Sequence, residues 1–202
     1  MHAIVRAMGG YLEAYLDGLP HAERSYPDCC IKGSLVAISL RTRRLPEQVE
    51  VPSYIRVFER ERWTSNEWVP IVRVNAWVAA LLDHDFRGNE NAYLAWNYEL
   101  NREFAATPMY KLFYKLAPPH ILVRTLTLAF SQYFRGIVLN ATISQGQAEL
   151  EVTQPPNLYP ELMQRGFAEA FRAALDAAGA RQATAELTRR DERSHQVHCS
   201  WR

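Results

Sequence analysis

The period of the hydrophobic pattern changes once along this chain, at Arg135-Gly136, and that change limits the folds open to it. Before it, apolar residues recur at helical spacing. After it, Ile137, Leu139, Ala141 and Ile143 alternate with Val138, Asn140 and Thr142, the period-two pattern of a strand with one face inward. Ser144-Gln145-Gly146 supplies a tight turn, and Ala148, Leu150 and Val152 then alternate with Gln147, Glu149, Glu151 and Thr153, which predicts a hairpin with one wet face. Pro155-Pro156 breaks the sheet. Pro160 opens an amphipathic helix with Leu162, Met163, Phe167, Ala170, Phe171, Ala174 and Leu175 inward, stopped at Gly179. Ala183, Ala185 and Leu187 mark a third strand; across the charged turn 189–193, His195, Val197, Cys199 and Trp201 mark the inner face of a fourth. The expected class is therefore α+β: an N-terminal helical half packed on a C-terminal four-stranded antiparallel sheet of strand-strand-helix-strand-strand order.

The helical half is less even. Ile4, Met8, Tyr11 and Tyr15 fit a short helix that Gly9-Gly10 weakens, and Cys30 to Leu40 fits either period. A basic run, Arg41, Arg43 and Arg44, reads as a solvated face. From Asn66 a helix is predicted with Pro70 in its first turn and Ile71, Val74, Val78, Leu81 and Leu82 on one stripe, ending by Gly88. A second runs from about Asn89 through Tyr93, Trp96, Leu100 and Phe104 to Pro108, followed by turns bearing Met109, Leu112, Phe113 and Leu116. The helix opened by Pro118-Pro119 is apolar nearly all round, so it is expected to be central and buried. The 202 residues are read as an N-terminal extension, 1–25, and one α+β domain, 26–202.

Composition excludes several function classes. Lys+Arg 23 against Asp+Glu 22 leaves +1, which removes the electrostatic basis for non-specific nucleic-acid binding. No stretch approaches the roughly 20 apolar residues of a membrane span. Three cysteines, two of them adjacent, make no disulfide framework, and with no signal peptide evident they favour a cytoplasmic setting.

Tyr133-Phe134-Arg135-Gly136 before the sheet, Ala178-Gly179 after its helix, the ending His195-Gln-Val-His-Cys-Ser-Trp201, Ile31-Lys32-Gly33-Ser34 and Trp68-Val-Pro together resemble a family of unknown function abundant in myxobacteria. The resemblance spans roughly residues 30 to 202. It implies the wider fold of haem–nitric-oxide-binding domains, vinyl-reductase-like sensors and vesicle-tethering subunits, which enclose a ligand pocket between helices and a twisted sheet or use the same surfaces to dimerise.

A haem needs an axial ligand on a helix wall. Between residues 66 and 134, in the main helices, only His84 and His120 occur, and the Tyr-x-Ser-x-Arg pattern of the haem domains is absent, since Ser131-Gln-Tyr-Phe-Arg135 holds the types in another order. A zinc site from His195, His198 and Cys199 is disfavoured, because His195 and Cys199 sit roughly 13 Å apart along a strand and His198 faces the other way. No nucleophile turn, phosphate loop or paired carboxylates stand out, so no catalytic, metal or cofactor-binding residue is assigned. What stands out is the aromatic supply. Aromatic residues at helical spacing are core more often than pocket, but the resemblance raises a small-molecule pocket lined by Trp96, Phe104, Phe113 and Phe130, none with a charged residue at i+4. The expected function is a non-enzymatic sensory or adaptor domain for a small hydrophobic ligand, a signalling protein or both, with a cofactor-dependent or redox enzyme (haem or metal) as the alternative. A homodimer is expected, through the helix around Met8, Tyr11 and Tyr15.

Overall fold

The computed structural model describes residues 10–107, 111 and 117–202, and the chain forms two compact units, Met1–Tyr93 and Leu94–Arg202. Met8 and Phe113 lie outside the described residues.

In the first unit, α1 (Tyr11–Asp17) starts where Gly10 leaves room for the Asp83 carboxylate, which accepts from the N–H groups of Tyr11 and Leu12 at 2.7 and 3.0 Å. A carboxylate there satisfies two of the helix's orphan donors and meets the positive end of its dipole. The ambiguous segment 30–40 contains both elements: strand β1 (Cys30–Lys32) passes directly into helix α2 (Gly33–Thr42). Helix α3 (Ser53–Arg60) follows, then strand β2 (Trp68–Pro70), antiparallel to β1 with Ile31 opposite Val69. The helix expected from Asn66 begins later, as α4 (Ile71–His84), with Pro70 at its N-cap. Pairing with β1 holds residues 68–70 extended, and a proline has no N–H to lose at a helix start. Trp77, Phe58, Ile55, Ile71, Leu81 and Leu82 are the buried centre of this unit.

Helix α5 (Glu90–Ala105) leads from the first unit into the second, which continues with α6 (Pro119–Tyr133) and the two-residue strand β3 (Phe134–Arg135). The sheet is β4 (Val138–Ser144), β5 (Gln147–Thr153), β6 (Thr184–Arg190) and β7 (Ser194–Ser200), all antiparallel and ordered β4-β5-β7-β6. Helix α7 (Glu161–Ala177) lies between the hairpins in sequence and packs on β6 and β7. This is the α+β class and the strand-strand-helix-strand-strand order expected. Leu139, Leu150, Val152, Val197 and Cys199 are buried on one face, and positions of the other parity are exposed or half-buried. Leu187 and Trp201 are only half-buried; Leu187 is on an edge strand and Trp201 lies past the end of β7.

One expectation for this unit fails. Helix α6 is not a central buried helix: Leu122, Val123 and Phe130 are buried, but Leu128 is 75% exposed and Ile121 40%. An apolar residue type does not by itself fix burial, because much of any protein surface is apolar.

Candidate functional site

Aromatic residues of the second unit form one pair and one longer series of ring contacts. Phe104 on α5 meets Tyr133 on α6 edge-on at 6.0 Å. Phe130, buried on α6, stacks on Phe134 at 4.4 Å, and Phe134 lies 6.5 Å from Phe167 of α7. Phe167 in turn contacts Tyr159 at 4.9 Å, Phe171 at 6.2 Å and His195 of β7 at 5.1 Å. Of the four residues expected to line a pocket, Phe130 is therefore an inner member of this series, Phe104 is half-buried beside Tyr133, and Trp96 is half-buried on α5. Phe113 lies outside the described residues.

An open groove of about 770 Å³ lies one residue from Phe104, lined by Tyr98, Arg102, Ala105, Lys111, Asp176 and Ala177 among others. Tyr98 donates its hydroxyl to Asp176 at 2.6 Å, and the Arg172 guanidinium sits 3.9 Å over its ring. Burial, and then the acceptor carboxylate, push the Tyr98 phenol above its ordinary range. Counting aromatic stripes does not find this constellation. The signal that could have found it is a Tyr at 98 with Arg102 four residues on, a spacing that puts both on one helix face.

At the sheet end of the ring series, His195 is fully buried, and neither ring nitrogen has a hydrogen-bond partner among the described residues. Two further buried side chains are incompletely satisfied: Gln154, just past β5, and Gln164 on α7, whose amide nitrogen donates to the Tyr159 carbonyl while its oxygen has no partner among those residues. Burial holds His195 neutral, lowering its pKa from 6.5 to about 4. The unfolded chain thus binds a proton that the folded chain refuses between those values. The contribution of His195 to stability is accordingly expected to be flat above about pH 6.5, to fall by about 3 kcal/mol as pH drops to 4, and to level off below. Urea titrations across that range check it, and His195→Leu should remove this part of the slope while leaving stability at pH 7 unchanged or about 1 kcal/mol higher, since no hydrogen bond is lost.

Haem does not fit the described residues. His21, His84 and His120 are exposed, and His198 turns to Glu149 at 2.6 Å on the other sheet face. His195, the buried histidine among those described, packs against Phe167 inside the layer between helix and sheet. The residues that correspond in type to the propionate-binding pattern are not gathered either: the Ser131 hydroxyl donates to the Leu128 carbonyl of its own helix, Tyr133 lies against Phe104, and Arg135 is exposed. No cluster of three His, Cys, Asp or Glu side chains able to hold a metal occurs among the described residues. Cys199 shares the buried face of β7 with His195, and burial pushes its thiol up to about 12, which leaves it a small apolar residue at neutral pH.

No protein-family model matches the sequence, and comparison with curated proteins finds no match. Solved structures do match in fold. A structure from work probing haem distortion in the H-NOX family superposes with a TM-score of 0.57 at 15% identity, over 85% of this chain and 95% of that one. One from work on haem redox potential and protein-induced porphyrin distortion gives 0.58 at 13%, over 84% and 99%. A Cs H-NOX mutant with 4-cyano-L-phenylalanine at site 5 gives 0.56 at 15%, over 85% and 97%. At such identities the likeness is one of fold.

Proposed function

We propose that this chain is a non-enzymatic sensory or adaptor domain on the H-NOX-like fold, which takes a small hydrophobic ligand, a signalling partner or both in place of haem. The observation that carries the reading is the fold match over 84–85% of the chain together with described residues among which no haem donor is placed. The structural neighbours come from work on haem; this chain shares their fold, and its second unit carries the ring contacts of Phe130, Phe134 and Phe167. The ligand-binding part of the proposal centres on Trp96, Phe104, Phe113 and Phe130, and its setting is an intracellular, cytoplasmic one.

An absorbance spectrum and native mass spectrometry of the purified protein test it. A lipid-like or aromatic mass without a Soret band is the expected result; a Soret band or a stoichiometric metal would overturn the reading in favour of a haem or redox enzyme. Phe130→Trp separates pocket from core. A true cavity accepts the larger ring, so ligand should be lost with little change in the melting temperature. A cost of about 1–3 kcal/mol instead would mean the ring overpacks a filled core, and the ligand half of the proposal would fall.

A further inference from the structure

The four-stranded sheet has two edges, and they are built differently. Strand β6 carries Glu186, Arg189 and Arg190, and its register with β7 shifts between Leu187 and Arg189. Charges and a bulge are the usual means by which an edge refuses further pairing. Strand β4, at the other edge, has seven residues, Val-Leu-Asn-Ala-Thr-Ile-Ser, with no charge, proline or glycine, and it pairs in unbroken register with β5 along its whole length. Its backbone groups have no hydrogen-bond partner besides β5 among the described residues.

A second observation concerns the exposed apolar side chains. The large apolar side chains exposed in the described structure are Val57, Ile121, Leu128 and Val138. Three of the four lie on β4 and on α6, which packs against it; Leu128 is 75% exposed and Val138 54%. Exposed apolar side chains thus occur on β4 and on the helix that contacts it, and none occurs on β6.

We infer that β4 is a dimer interface, in which a second copy of this chain adds its own β4 antiparallel and the two four-stranded sheets become one of eight. The strand is self-complementary for that occupant. About a two-fold axis through Ala141, Leu139 faces Ile143 of the second copy and Ala141 faces its equivalent, covering inner-face positions that are half-buried in the single chain at 141 and 143. On the outer face Asn140 meets Thr142, and no like charges are brought together. A strongly charged peptide gains nothing along this strand, whereas its own uncharged sequence pairs there at no electrostatic cost. The contact lies elsewhere than the one expected at the N-terminal helix, whose Tyr15 is buried. It adds a partner to the adaptor reading without depending on a ligand, so a failed ligand search and a failed dimer test remain distinguishable.

Light scattering and sedimentation of the full chain test the inference. The wild type should be a dimer at micromolar concentration. In Asn140→Lys/Thr142→Lys each lysine faces a lysine of the second copy, so the dimer should weaken by about a hundredfold. Within its own hairpin the same substitutions set lysines opposite Glu151 and Glu149, so the fold is kept, and circular dichroism should show it unchanged. Thr188→Lys on β6 should leave the dimer intact. In a Cys30→Ser background, Ala141→Cys should oxidise to a covalent dimer, because the two sulfurs meet at the axis. A monomeric wild type, a lysine pair that stays dimeric, or an Ala141→Cys that fails to cross-link in a dimeric protein would each overturn it.

Discussion

Replacing Gly33 by alanine is expected to cost about 4 kcal/mol or more and to leave the first unit unfolded in much of the population. Gly33 is the first residue of α2, immediately after β1, and a Cβ placed on it would overlap the carbonyl oxygen of Thr64, far inside van der Waals contact. That oxygen has little room to retreat. The Gly33 N–H donates to the Glu67 carbonyl at 3.0 Å, and the 64–67 turn is closed by the Thr64 N–H on the Glu67 carboxylate at 2.5 Å. Lys32 and Trp68, the chain neighbours of Gly33 and Glu67, are paired across β1 and β2. Relief of the clash therefore requires separating the two strands. Gly179 sets the scale for a glycine needed only for its backbone: it has φ +79° and nothing within 4 Å of where a Cβ would stand, so Gly179→Ala should cost only about 1 kcal/mol. Thermal or urea unfolding of both variants checks the contrast, and similar melting temperatures for the two would show that the 64–67 turn yields.

That glycine also marks where the sequence is readable and where it is not. Ile31-Lys32-Gly33-Ser34 stands out as a motif, but nothing local says that its glycine faces a carbonyl thirty-one residues away. Strand β2 is hidden for the same reason: three residues before a helix carry no period of their own, and only the pairing of Val69 with Ile31 makes them a strand. The C-terminal sheet is legible because each hairpin declares itself within about fifteen residues, with alternation on both sides of a turn: one at Gly146, φ +70°, the other at the charged residues 191–193. In helix α6 the period is legible and the burial is not, because apolar residues on every face leave the buried side undetermined until a neighbour is known. The candidate site divides in the same way. Its rings can be counted in sequence, but the stacking of Phe130 on Phe134 and the burial of His195 against Phe167 depend on which elements the fold brings together.

Glu59 is equally silent in sequence, one acid within the charged stretch Arg56 to Arg62, and its removal is expected to destabilise the first unit by about 3–5 kcal/mol. The side chain is 5% exposed, and its Oε1 accepts from the Leu45 N–H at 2.7 Å and from the Trp77 indole N–H at 2.9 Å, while Oε2 lies 3.3 Å from the Arg56 guanidinium. Arg56 in turn donates to the carbonyls of Pro46 and Val49, so one buried carboxylate ties α3 to α4 and to the loop after α2. Glu59→Ala strands two buried donors and leaves Arg56 without its counter-charge, each a penalty larger than the net gain of an ordinary hydrogen bond. Glu59→Gln keeps an oxygen that can accept from both donors but loses the charge and the acceptor facing Arg56, so its cost should be smaller, about 1–2 kcal/mol. Urea unfolding followed by tryptophan fluorescence distinguishes the two, since Trp77 reports the site directly. An alanine variant no less stable than the glutamine variant would mean that water reaches the Leu45 and Trp77 donors, and that burial around Glu59 is looser than the packing of Phe58 on Trp77 at 5.9 Å implies.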